Sequence, residues 1–112
     1  MKKIVKWMEI AGWTTRRWET DAYICYEISK STPAGGDDSI SIEIKEDRKD
    51  LFIQGLEDWI RGYDVNEETY IWLDEFGHGK NGAPYDMMDI YMDKKAFLSM
   101  AEELLDELKK IG

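Results

Sequence analysis

The residues best placed for chemistry lie in DEFGHGKNGAPYDMMD, residues 74–89, where glycines at 77, 79 and 82 surround Lys80 and the only histidine, His78. GHGKNG would suit phosphate if its backbone N–H groups converged on an anion. That geometry needs a buried strand before the loop, GxxxxGK(S/T) spacing and a helix directly after it. Here an acidic helical segment precedes the loop, Asn81 follows Lys80, and Asp74, Glu75, Asp86 and Asp89 would repel phosphate. The stretch therefore reads as a shaped connector, its glycines allowing positive φ and Pro84 setting the exit. Asp86, Asp89 and Asp93 stand at i, i+3 and i+7, which on one continuous helix gives a shared face that could offer oxygens to a hard cation. One helix cannot aim enough oxygens at one point, so a solvated face with Asp86 or Asp93 as an N-cap is the simpler reading. His78 with Asp74 or Asp86 could form an acid–base pair, but nothing nearby supplies a nucleophile or an oxyanion hole. Cys25 stands near Asp21 and Glu27 rather than near cations that would activate a thiol, and reads as inert packing.

The chain that must position these groups has 112 residues, enough for one domain, residues 1–112, burying roughly two-thirds of its unfolded surface. Hydrophobic residues at 43% and aromatics at 12% exclude wholesale disorder. A single cysteine excludes an intrachain disulfide and a cysteine-based zinc site, and favours a reducing cytosol. Lys6 and Glu9 break the apolar run of MKKIVKWMEIAGW, so neither a signal-peptide core nor a membrane span is expected there.

The spacing predicts a helix over residues 2–11, with Ile4, Val5, Met8 and Ala11 on one side and Gly12 as its stop. WTTRRWE at 13–19 and AYICYEIS at 22–29 read as a hairpin joined at Thr20 and Asp21. After the turn formers STPAGGDDS, residues 31–39, SISIEIK at 39–45 alternates Ile40, Ile42 and Ile44 against Ser41 and Glu43, as a half-buried strand does. From Asp47 the period becomes helical, with Leu51, Phe52, Leu56, Trp59 and Ile60 on one stripe. A further helix starts at Asp64, which has capping-box spacing to Glu67, and stops at Gly77; it leaves Tyr70, Ile71, Trp72 and Leu73 for partial burial. A last helix, from Met87 or Asp93 to Ile111, carries Phe97, Met100, Ala101, Leu104, Leu105, Leu108 and Ile111 at helical intervals. The expected fold is α+β, in the order α-β-β-β-α-α-α, with a three-stranded antiparallel sheet packed by helices.

Charge is the strongest functional signal. Twenty-four acidic against fifteen basic residues give −9, which disfavours direct binding to nucleic acid. The charge is uneven, +3 over residues 1–20 and −8 over residues 57–93. Acids spaced along the helices at 57–75 and 86–93 could imitate a nucleic-acid backbone toward a basic protein groove. Trp13 and Trp18 fall on opposite faces of their strand by parity, so one of them is free to act as an exposed anchor.

The segment DVNEETYIWLDEFGHGKNGAPYDMMDIYMDKKAFLSMAEELLDELKK, residues 64–110, together with the STPAGGDD turn, resembles a family of small acidic proteins carried on mobile elements of Gram-positive gut bacteria. In size, acidity and layout the chain is similar to anti-CRISPR inhibitors of type II effector nucleases found in that setting. Where the family often reads Asp-Met-Lys-Ala-Cys this chain has DKKAF, at a helix start where no chemistry is at stake. The resemblance implies a non-enzymatic inhibitor, without cofactor or catalytic residue, that occupies a basic groove of the nuclease and hinders guide RNA loading or target DNA binding. Its expected contacts are Glu57, Asp58, Asp64, Glu67, Glu68, Asp74, Glu75, Asp86 and Asp89. Two alternatives stay open: an accessory protein-interaction module of the mobile element, for example a homodimer joined through tryptophan-bearing surface, and an enzyme, either a metal-dependent nuclease using the aspartates near 86–93 or one that damages guide RNA.

Overall fold

A computed structural model describes residues 1–32, 37–76 and 87–111, with backbone alone at 37, 72–76 and 87. Its elements are α1 (Lys2–Ile10), β1 (Thr14–Glu19), β2 (Ile24–Ser31), β3 (Asp37–Ile44), α2 (Lys49–Gly62), α3 (Val65–Phe76) and α4 (Met87–Lys110). This is the α+β order that the periodicities predict.

Helix α1 buries Ile4 and Met8, one turn apart, and stops where expected. Gly12 takes φ +98°, its N–H donates to the Glu9 carbonyl (3.1 Å), and the Trp13 N–H reaches back to the Met8 carbonyl (2.9 Å). This paired closure satisfies the last carbonyls of the helix and sets Trp13 against Met8, both buried. Lys30 adds a third tie, donating from Nζ to the Ala11 carbonyl at 3.0 Å.

The three strands form an antiparallel meander in the order β1-β2-β3. The β1–β2 turn is longer than the dipeptide expected from sequence. The Thr20 hydroxyl accepts the N–H groups of Ala22 (3.4 Å) and Tyr23 (3.0 Å), and that local competition ends pairing at Glu19 opposite Ile24. Parity then sorts the side chains: Tyr26, Ile28, Ile40, Ile42 and Ile44 enter the core, while Arg16, Trp18, Ser41 and Glu43 face outward and are exposed. Cys25 also belongs to the outward set. It is buried nonetheless, because it lies in the middle strand between Trp18 and Glu43.

Helix α2 lies on β3 at Gly55, where a Cβ would meet Ile42 Cγ2 at 2.5 Å. Its Phe52 and Leu56 are fully enclosed, and Phe52 meets Tyr26 edge-on. Helix α4 supplies Phe97, Ala101, Leu104, Leu105 and Leu108 to the same core, the stripe anticipated from the sequence. Phe97 stands at its centre, edge-on to both Trp13 and Trp59 at 5.9 Å. Enclosing a side chain of that size stabilises the fold by about 1.5–3 kcal/mol. Because α4 is already helical from Met87, Asp93 lies within it and is not its N-cap.

Candidate functional site

Helix α3 begins at Asp64, whose Oδ1 accepts the N–H groups of Asn66 (2.9 Å) and Glu67 (3.2 Å), satisfying donors that the first helical turn leaves free. From that cap α3 packs on α4. Among the described side chains of α3 the buried one is Thr69, 2% exposed, whose hydroxyl donates to the Val65 carbonyl at 2.7 Å and is thereby satisfied without water. Tyr70 and Ile71 are instead 58% and 43% exposed, a correction to the partial burial expected of them. With Thr69 buried, the next two positions fall on other sides of the helix, Tyr70 at the rim of the α3–α4 junction. The side chains of Trp72 and Leu73 lie outside the described residues.

Two matching stripes result, Asn66, Thr69 and Tyr70 on α3 and Met88 and Tyr91 on α4, and they line a groove of about 350 Å³. Met88 and Met92, one turn apart on α4, are also exposed. Large apolar side chains in water on adjoining helices are unusual when rimmed by charge, and such patches mark interaction surfaces. Methionine suits this place because its unbranched chain adapts to differently shaped partners.

The carboxylates expected to contact a partner fall into distinct groups. Glu57 and Asp58 on α2 both pair with Arg61, at 2.7 and 3.6 Å, and Glu57 also lies 3.9 Å from Lys109. Their charge is largely answered locally. Asp64 and Glu67 are exposed and Glu68 half-buried, all at the start of α3, and none forms an ion pair among the described residues. Asp89 is exposed on α4 beside Met88. The side chains of Asp74 and Glu75, all of Asp86 and the whole GHGKNG loop lie outside the described residues.

Glu68 takes part in a grouping that spacing did not foretell. A recess of about 150 Å³ is lined by Asp38, Ser39, Trp59, Tyr63, Glu68 and Phe97. Lys94 enters from α4 and donates to Asp38 Oδ1 at 2.7 Å, with both side chains mostly enclosed. Asp38 Oδ2 and Asp93 Oδ1 are buried and receive no hydrogen bond from the described residues. Burial pushes the Tyr63 phenol above the ordinary tyrosine value, and the negative charges of Asp38, Glu68 and Asp93 push it further the same way. Tyr63 is held against Trp59, ring centroids 4.7 Å apart. Among the described residues no group of three or more histidine, cysteine or acidic side chains is arranged to hold a metal ion.

Sequence reasoning also passed over Glu102, Glu103 and Asp106, exposed on α4 and without ion pairs among the described residues. Their signal was present: three acids on the polar side of the most regular stripe in the chain. What the arrangement offers is an apolar groove at the junction of α3 and α4, with the exposed acids Glu67 and Asp89 next in sequence to its lining residues Asn66 and Met88. No family model, curated protein or solved structure matches this chain.

Proposed function

We propose that the chain is a non-enzymatic inhibitor that docks its α3–α4 face on a basic nucleic-acid groove of a protein, that of a type II CRISPR effector nuclease, and so hinders guide RNA loading or target DNA binding. The observation that carries this reading is the presence, on one helix pair, of the exposed groove residues Tyr70 and Met88, of Met92 one turn further along α4, and of carboxylates at Asp64 and Glu67 that form no ion pair among the described residues. Apolar anchors give an interface its binding energy, while surrounding charge steers encounter and selects a cationic partner. A basic groove that holds nucleic acid through its backbone presents the complementary charge.

The test is guide loading and target cleavage by a purified type II effector nuclease in the presence of excess protein. Loading or cleavage is expected to fall, and to recover as salt is raised from 0.05 to 0.5 M. Glu67→Lys and Met88→Asp are each expected to weaken inhibition at least about fivefold, the loss typical of an interface anchor worth more than 1 kcal/mol. Glu57→Gln should change it less than twofold, because that carboxylate is already answered by Arg61. Unchanged loading and cleavage at excess protein would sink the proposal.

A further inference from the structure

A larger cavity, lined in part by the basic N-terminal segment, is not used by the inhibitor reading. It measures about 560 Å³ and lies between α1 and the inner side of β1 and β2, lined by Met1, Lys2, Val5, Lys6 and Glu9 of the N-terminal segment and by Thr15, Arg17, Tyr26 and Asp47. Its size is within the range of pockets that take small organic ligands. Within it the polar groups divide into occupied and unoccupied. Glu9 Oε1 accepts the Thr15 hydroxyl at 2.9 Å, and Asp47 accepts the Tyr26 phenol at 2.5 Å and Arg17 at 3.4 Å. Arg17 is further committed to Glu19 at 2.7 Å and lies over the Tyr26 ring, 5.9 Å from its centroid. Lys2 and Lys6, one turn apart on α1, form no ion pair among the described residues.

Their two ammonium groups thus stand unpaired in the lining of one cavity, in a chain of net charge −9. Besides them and the fixed Asp47–Tyr26–Arg17 cluster, the lining has apolar surface from Met1 and Val5. We propose that this cavity binds a small organic anion, a carboxylate or phosphate carried on a flat apolar body. Its acidic group is held by Lys2 and Lys6, and its body rests on Val5 and Met1. Burial keeps the Tyr26 phenol protonated, and with Asp47 already occupying it, the phenol acts as floor rather than as a donor to the ligand.

The probe is 1-anilinonaphthalene-8-sulfonate, an apolar double ring bearing one anionic group, titrated against the full chain by fluorescence and by amide chemical-shift mapping. Inorganic phosphate, titrated the same way, separates recognition of the acidic group alone from recognition of the whole shape. Shifts are expected at Lys2, Val5, Lys6, Thr15 and Arg17, with dissociation at least tenfold weaker in the double variant Lys2→Glu, Lys6→Glu. Inorganic phosphate is expected to bind at least tenfold more weakly than the sulfonate. Shifts confined to the α3–α4 groove, equal affinity in the double variant, or equal affinity for bare phosphate would each overturn the proposal. Both lysines lie at the surface, so the variants are expected to fold, and near-native amide spectra check that. Failure here leaves the groove reading untouched, since the two sites share no residue.

Discussion

Tyr63 is the residue at which burial and charge act in the same direction. Its phenol is desolvated beside Trp59 and faces the field of Asp38, Glu68 and Asp93, so its proton is held more tightly in the folded chain than in the unfolded one. The sign of the effect on stability follows. The contribution is complete below the ordinary tyrosine value near pH 10 and is lost as the pH rises from there through the elevated folded value, because the unfolded chain releases its proton first. Urea unfolding followed from pH 8 to pH 11.5 should show a decline that is shallower in Tyr63→Phe than in the parent; equal slopes would mean that the phenol does not feel this environment. Sequence showed part of the constellation only. Asp93 stood out through its spacing from Asp86 and Asp89, but Asp38 sits at the edge of a turn-rich run, and its meeting with Lys94 bridges a separation of 56 residues. Contacts of that kind depend on how α4 lies against β3, which no local pattern encodes. Strand parity, in contrast, separated Trp13, buried, from Trp18, exposed and covered in part by Arg16 at 5.6 Å.

Among the elements, α2 shows how a residue disfavoured by propensity can be required by packing. Glycine inside a helix costs about 1 kcal/mol relative to alanine, so Gly55→Ala would stabilise an isolated helix. Here the added methyl would sit 2.5 Å from Ile42 Cγ2, and the expected outcome is a net loss of about 1–3 kcal/mol as α2 moves off β3. Gly62, at the end of the same helix, has nothing within 4 Å of its would-be Cβ, and Gly62→Ala is expected to gain up to about 1 kcal/mol. Urea midpoints of the two variants moving in opposite directions would bear this out; two shifts of the same sign would remove the close approach as the cause. The elements themselves were legible because each carries a period of its own: alternation in β3, the apolar stripe of α4, the glycine stop of α1. Helix α3 was read less well. Its apolar residues Tyr70 to Leu73 are consecutive rather than periodic, so they could not indicate which side would be covered, and among the described side chains the covered one is a threonine.

For the molecule as a whole, the net charge of −9 is spread over extents of 43 × 31 × 23 Å. At 0.01 M salt the screening length is about 30 Å, so most acids repel one another across the body, whereas at 0.15 M it is about 8 Å and only neighbours interact. Local pairs such as Arg48–Asp50 at 2.5 Å and Arg61–Glu57 at 2.7 Å survive that change better than diffuse repulsion does. The melting temperature followed by circular dichroism is therefore expected to rise by about 4 °C between these salt concentrations, corresponding to roughly 1 kcal/mol. A fall would mean that attractive pairs outweigh repulsion. The unevenness of charge was plain in the sequence; the pairing of Arg61 with Glu57 and Asp58 was legible too, as i+4 and i+3 spacing on one helix, whereas that of Glu57 with Lys109 was not, since it joins α2 to α4.

The 24 residues of α4 amount to about 36 Å of helix, most of the longest dimension of the body. One end of this strut carries Met88 and Tyr91 beside α3, while the other wedges Leu104, Leu105 and Leu108 among side chains contributed by α1, α2 and the sheet. Residues 64–110 are consequently no detachable peptide. Excised, they would leave the whole leucine edge bare to water, and any shortened derivative meant to keep the groove would have to bring a substitute for the first half of the chain.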